Sequence, residues 1–268
     1  MLYLGTLPID DRNRGMVLAL LFFTSLSLFI VTLRIYTRAV VVKRTGLDDL
    51  LIILAGLGLV SYLTASMYQV RFGLARTLRP GELQNFLRSL YATILAYNTT
   101  QLLVKFSLAL QYKRALQTVK SRRFFTALLV SLTAFAIFSE TTCIITCWPV
   151  SKYWDDSVPG GCIDRRILHY VISGLNIIID FFLLAVPIPF LRRLQIAKRI
   201  KAILLCLFAC GVSTCIVSVI RLRSLYENNS VPIEQQPLFG VDIVLWSGLE
   251  INAVQSVVKT TATANRVI

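Results

Sequence analysis

Histidine is almost missing from this chain: 268 residues hold one, His169. There is no Cys-x-x-Cys pair either, so the donor set of a zinc site is lacking and no metal is expected. No Gly-rich phosphate loop, Ser/His/Asp arrangement or large soluble domain is visible, and no catalytic residue is assigned. Charge is scarce as well. Only 16% of the residues are Asp, Glu, Lys or Arg, against about 25% in soluble domains. Acids are the rarer sign, 14 against 28 Lys and Arg, for a formal net charge of +14.

What fills the chain is apolar. Hydrophobic residues make up 56% of it, and the mean hydropathy is +0.68. The composition excludes an ordinary soluble domain and points to a membrane protein. The apolar residues fall in blocks of about 20, enough to cross a ~30 Å hydrocarbon core at 1.5 Å per residue. Seven blocks are counted, roughly 15–36, 48–70, 89–112, 124–147, 167–190, 202–222 and 239–258. The expected fold is all-α, one polytopic seven-helix bundle over 1–268. The third block carries Asn98, Thr99, Thr100, Gln101 and Lys105; the seventh carries Asp242, Glu250, Asn252 and Gln255. Both need a bundle to face. A six-span arrangement with the seventh block interfacial is the alternative.

The positive charge is distributed unevenly. Connectors after blocks one, three and five hold Arg38, Lys43, Arg44, then Lys113, Arg114, Lys120, Arg122, Arg123, then Arg192, Arg193, Lys198, Arg199, Lys201, with no acid among them. The alternate connectors are longer and mixed in sign, with Glu82, Asp155, Asp156, Asp164, Glu227 and Glu234. Short basic loops stay in the cytosol. The N-terminus is therefore expected outside, and the basic loops next to anionic lipid, not nucleic acid. Arg71, Arg76, Arg79 and Arg88 dilute this bias without reversing it. No cleavable signal is visible, so block one is expected to be a retained anchor. The address is a plasma membrane or an endomembrane.

Two carboxylates, Asp48 and Asp49, stand at the head of the second apolar run. At a helix N-terminus they can cap free N–H groups, worth about 1 kcal/mol, and oppose the helix dipole. Lys43 and Arg44 lie close enough in sequence to share their charge. A switch or partner-docking role is the alternative.

Arg34 and Arg38 followed by "GLDD" at 46–49 resemble the fungal rhodopsin-like integral membrane domain, which includes satratoxin-cluster membrane proteins and the membrane part of Pth11-like receptors. Further segments resemble it in order: "FGLAR" at 72–76, "VKFSLALQYKR" at 104–114, "CWPVSKYWD" at 147–155 with Cys162, "NIIIDFFLLAVPIPFLRRLQ" at 176–195, "GVSTCIVSVIRL" at 211–222 and "WSGLEIN" at 246–252. Ala75 stands where the family's Gly-Leu-Gly-Arg-His segment has its second Gly, and Thr77 replaces the His. After Asn252 the expected apolar run and Cys-x-Pro give way to "AVQSVVKTTATANRVI", so the end of helix seven is expected to be altered or truncated. The resemblance implies receptor-like sensing of an extracellular small ligand, with cytosolic transducers at the basic loops. Retinal is not expected, because the one lysine of the last helix is Lys259, at its cytosolic end; no cofactor is assigned.

Cys147 and Cys162 flank an outer, oxidising loop and are the expected disulfide, worth roughly 3 kcal/mol; Cys143 is the rival partner. Cys206, Cys210 and Cys215 read as small buried hydrophobes. Trp148, Tyr153 and Trp154 read as an interfacial belt or a lid over a ligand pocket. Charges inside spans are the sharpest functional signal. At 1.5 Å per residue, Lys105, Asp180 and Glu250 fall in one inner layer and can pair. Glu140, Arg221 and Asp242 fall in an outer charged layer. Either layer can instead fix helix register alone. Pro187 and Pro189 end or kink helix five. Asn228-Asn229-Ser230 matches a glycosylation sequon and is expected in the outer loop before helix seven, where its use would confirm the orientation. Two rival functions stand beside sensing: a carrier or accessory protein of secondary metabolism, and a membrane-embedded cyclase using Glu140, Asp180 and Glu250 as acids.

Overall fold

The computed structural model describes residues 2–4, 7–9, 11–42, 46–76, 81–115, 119–185, 198–231 and 235–264, with side chains placed in 11–40, 46–76, 81–113, 123–185, 211–231 and 235–255. Lys43, Arg44, Arg79, Pro187, Pro189, Arg192 and Arg193, and the side chains of Cys206, Cys210 and Lys259, lie outside that description. Seven α-helices are found among the described residues: α1 Asp11–Tyr36, α2 Leu47–Arg71, α3 Leu83–Ala115, α4 Val119–Ile144, α5 Arg165–Ala185, α6 Lys198–Asn229 and α7 Gln236–Ala264. A π-helical turn, Thr37–Val42, extends α1. The described residues also hold two small hairpins, β1 Leu2–Leu4 with β2 Leu7–Ile9, and β3 Cys147–Trp148 with β4 Gly161–Cys162, and a 3-10 turn at Val150–Tyr153.

Local chemistry sets the helix ends. At the start of α2 the Gly46 N–H donates to the Asp49 carboxylate at 3.2 Å, the back-reaching half of a capping box. At the start of α5 the Asp164 carboxylate accepts the Arg166 N–H at 2.9 Å. The turn after α2 uses left-handed backbone at Gly73 (φ 117°) and again at Ala75 (φ 73°). The Ala75 N–H donates to the Pro237 carbonyl at 2.9 Å, which ties this turn to α7.

In the bundle, α2 lies along α3 and α6 along α7, while α1 packs against both α2 and α7. The central helix is α3, which touches α2, α4 and α7. Backbones come close where a side chain is missing: a Cβ on Gly58 would collide with Thr100 Oγ1 of α3, and one on Gly248 with Leu20 of α1. Small residues allow such approaches between membrane helices.

Polarity is inverted relative to a soluble bundle. Phe29 is 67% exposed and Ile137 64%, whereas Thr100, Lys105, Ser107 and Glu250 are 0% exposed. An apolar exterior over a polar interior fits hydrocarbon as the solvent. Five helices among the described residues are long and apolar enough to cross a membrane, in α1, α2, α4, α5 and α7. Of the polar residues of the third block, Thr100, Gln101 and Lys105 face inward on α3, Asn98 is half-buried and Thr99 is exposed.

Several boundaries differ from the sequence expectation, among them the start of α3 at Leu83 and the end of α7 at Ala264. α4 stops at Ile144, so Cys147 lies on a strand. The hairpin at 2–9 had no counterpart in the block pattern. α6 runs on from 222 to Asn229, so Asn228 lies in its last turn and not in a loop. That extension is helical because "RLRSLYENN" holds no breaker and carries an i,i+4 pair, Arg223 to Glu227 at 3.0 Å.

Candidate functional site: a cavity above a buried charge network

The disulfide marks one end of the bundle. Cys147 and Cys162 are joined and face each other across the β3–β4 hairpin. Cys143 is free and buried, and accepts from Asn98 Nδ2 at 2.8 Å. Cys215 is likewise free and buried. Of the aromatic belt, Trp148 is 72% exposed and Tyr153 3%. Tyr153 and Trp154 both pack on Tyr91. The Arg165 guanidinium stands 4.3 Å over the Tyr153 ring and donates to the Tyr153 carbonyl at 3.2 Å. Burial pushes the Tyr153 phenol up to about 12, with Arg165 opposing the shift.

Beneath this loop a cavity of about 330 Å³ opens between α2, α3, α5, α6 and α7, within the range of small-molecule sites. Leu90, Ile94, Ile172, Leu225 and Val244 supply apolar wall. Arg165, Arg166 and His169 of α5 stand toward the disulfide end, and Tyr62, Tyr97, Ser247 and Arg221 line it too.

The charges lie next to Tyr97 and Arg221. Arg221 stacks its guanidinium 4.0 Å from the centre of the Tyr97 ring and donates from Nη1 to the Tyr97 hydroxyl. Tyr97 donates to Glu250 Oε2 at 2.7 Å, and Arg221 Nη1 lies 3.5 Å from the same oxygen. Glu250 Oε1 accepts from Ser218 at 2.7 Å and from Asn176 Nδ2 at 3.2 Å. Asn176 also donates to Asp180 at 3.3 Å and accepts from Lys105 Nζ on both its carbonyls. Lys105 Nζ completes the set 2.9 Å from Asp180. Two cations and two carboxylates thus share one network that joins α3, α5, α6 and α7. A buried charge is tolerated when paired and hydrogen-bonded in this way.

The structure therefore brings Lys105 to Asp180 directly and to Glu250 through Asn176. It does not bring Arg221 to Glu140 or Asp242. Glu140 instead accepts from Thr99 at 3.1 Å, and Asp242 is exposed. Arg221 sits deeper than expected because α6 continues two turns past the assumed end of its span. Sequence reasoning missed Asn176, Tyr97 and Ser218. Spacing held a signal for two of them: Asn176 lies one turn before Asp180, and Tyr97 about two turns before Lys105 on α3.

The opposite end carries a second ionic cluster. Arg38 Nη1 lies 2.9 Å from Asp48 and 3.0 Å from Asp49, and Arg34 Nη2 is 3.4 Å from each. Asp48 and Asp49 are each 5% exposed. Asp49 reaches the Gly46 N–H as a cap, and both aspartates bind Arg34 of α1 and Arg38 of the π-helical turn that follows it. Ser107 of α3 donates to the Asp48 carbonyl at 3.0 Å, so three helices meet here.

An apolar exterior, buried paired charges and an all-helical bundle define a polytopic α-helical membrane protein. Residues 33–258 match the fungal rhodopsin domain, and the chain belongs to that family. Among curated relatives, a SAT4 family membrane protein of Emericella nidulans is 30% identical over 152 residues, 55% of this chain and 39% of its own length. The polyenoic acids biosynthesis gene cluster protein Ba17b of Metarhizium anisopliae is 27% identical over 248 residues, 85% of this chain and 66% of its own. The wortmanamides biosynthesis cluster protein C of Talaromyces wortmannii is 24% identical over 256 residues, 91% and 68%. The chain thus spans between about two fifths and two thirds of the length of these relatives. No solved structure matches it.

Proposed function

We propose that the chain is a receptor-like seven-helix membrane domain that works without retinal. The disulfide end faces outside and takes up a small ligand; the Asp48–Asp49 end faces the cytosol, where the basic loops meet a transducer. The observation that carries this reading is the cavity whose wall is also part of the charge network. Tyr97 and Arg221 line the cavity and bind Glu250 at once. A ligand that engages either one changes the partner set of Glu250, and through Asn176 that of the Lys105–Asp180 pair. α3 carries Tyr97, Lys105 and Ser107, and so runs from the cavity to the Asp48 end. Coupling of this kind needs two arrangements of the network with different ligand affinity.

Support for a cyclase is weaker. Glu140, Asp180 and Glu250 do not line the cavity, and its one carboxylate among the described residues is Asp164, used to start α5. A carrier would have to open the cavity to both sides in turn. Sided cysteine labelling separates the two. Ser173 lines the cavity, so Ser173→Cys in a Cys143→Ser background is treated with a membrane-impermeant maleimide in intact cells and in inside-out vesicles. Labelling from outside alone is the receptor-like result. Labelling from both faces replaces it with a carrier, and labelling from the cytosol alone inverts the topology.

A further inference from the structure

The charge network is closed: Lys105 and Arg221 balance Asp180 and Glu250. The remaining ionised groups of the cavity wall do not balance. They are Arg165 and Arg166 against Asp164, with the His169 imidazole beside them. Arg221 itself is incompletely used. Its side chain is 15% exposed, and it turns only Nη1 to Tyr97 and Glu250, the latter at a long 3.5 Å. Its Nε is buried and has no acceptor among the described residues. A buried donor without an acceptor is unfavourable, so the guanidinium gains by turning toward an ionised acceptor in the cavity. Arg165 is already committed to the Tyr153 ring and carbonyl, and Arg166 is exposed.

We infer that the cavity's ligand is an amphipathic organic acid whose carboxylate accepts from Arg221 and whose apolar body lies along Leu90, Ile94, Ile172, Leu225 and Val244. Arg166, exposed nearer the mouth, raises the local concentration of anions, as a basic funnel does. The carboxylate draws Arg221 away from Glu250, so binding the acid and loosening the network are one event. This inference rests on the receptor-like reading above, because it names the ligand of that cavity.

The test uses the full chain in membrane vesicles with Ser173→Cys as reporter. Octanoate, benzoate and 4-butylbenzoate are compared with their amides, which keep size and apolar surface but lack the charge. Each acid is expected to slow maleimide labelling with an affinity about tenfold or more above that of its amide, the factor of one charge-assisted hydrogen bond. Glu250→Gln removes the competitor for Arg221, and acid affinity is expected to rise further, a gain that misfolding does not mimic. In Arg221→Gln/Glu250→Gln, which keeps the charge balance, the preference for acid over amide is expected to vanish. Acids and amides protecting equally, or neither protecting while labelling from outside proceeds normally, overturns the acid assignment and leaves the receptor-like reading standing. Labelling of the unliganded protein from both faces overturns the receptor-like reading itself.

Discussion

Ala75 carries a backbone conformation that an L side chain resists. Its φ of 73° lies in the left-handed region, and its N–H is held there by the Pro237 carbonyl. The strain is about 1–2 kcal/mol, of which the greater unfolded-state freedom of glycine returns part. Ala75→Gly is expected to stabilise the protein by up to about 1 kcal/mol, read as a raised melting temperature in detergent. Resemblance to the Gly-Leu-Gly-Arg-His segment singled out this position; the structure supplies the reason glycine suits it. Tyr153 gives a pH-dependent counterpart. Its folded-state value, pushed up to about 12, exceeds the ordinary value of 10.0. Stability from the neutral phenol is fully present below pH 10 and is lost as pH rises from 10 to 12. Tyr153→Phe is expected to melt in parallel with the wild type up to pH 9. Above pH 10 the wild type should lose on the order of 2 kcal/mol relative to the variant. Parallel curves throughout would remove this burial argument.

Between elements, the two ionic clusters make different demands. At the start of α2, Arg34 of α1 and Arg38 of the π-helical turn neutralise two aspartates in nearly dry surroundings, and Arg38 is the closer partner of both. Removing one partner leaves uncompensated charge and costs about 3–5 kcal/mol. Arg38→Met is expected to do so, and to recover most of the loss when combined with Asp48→Asn. In the centre, Lys105 and Asp180 pin α3 to α5. Lys105→Met is expected to damage folding far less in an Asp180→Asn background, and additive losses would remove the pair. Both clusters were partly legible in the sequence. Constant rise per residue predicts that Lys105, Asp180 and Glu250 share a layer, because all three helices are continuous through that depth. The same arithmetic fails for Arg221, since it needs the helix end, and α6 continues as a polar helix to Asn229. Hydropathy registers where apolar residues stop, not where backbone hydrogen bonding stops. Arg34 and Arg38 were visible as motif residues, but nothing in spacing reveals that Arg38 stands on a π-helical turn after Tyr36 and that Asp48 and Asp49 each reach both arginines.

For the whole molecule, what matters most is which end meets the outside. The disulfide is at home in an oxidising compartment, and the short basic connectors favour the cytosol. Both are reasons to expect the β3–β4 hairpin outside. Native Asn228 is a poor reporter of this. It sits in the last turn of α6, lines the cavity, and its amide oxygen is buried. A transferase needs an acceptor in extended, accessible chain, so Asn228 is expected to stay unmodified even if its end is lumenal. The hairpin offers a better acceptor. Asp155→Asn creates an Asn-Asp-Ser sequence in the turn between β3 and β4, where Ser157 is exposed and the Asp155 side chain makes a 3.4 Å contact with Gln84 and a local turn bond to the Ser157 N–H. Expressed in a eukaryotic membrane, Asp155→Asn is expected to gain one glycan, removable by endoglycosidase. Asn228→Gln in the same background is expected to leave the band unchanged. A glycan lost with Asn228→Gln would mean that the end of α6 opens in the membrane. No glycan on Asp155→Asn, with a tag after α7 shown to be lumenal, would invert the bundle and put the cavity, its arginines and the disulfide on the cytosolic side.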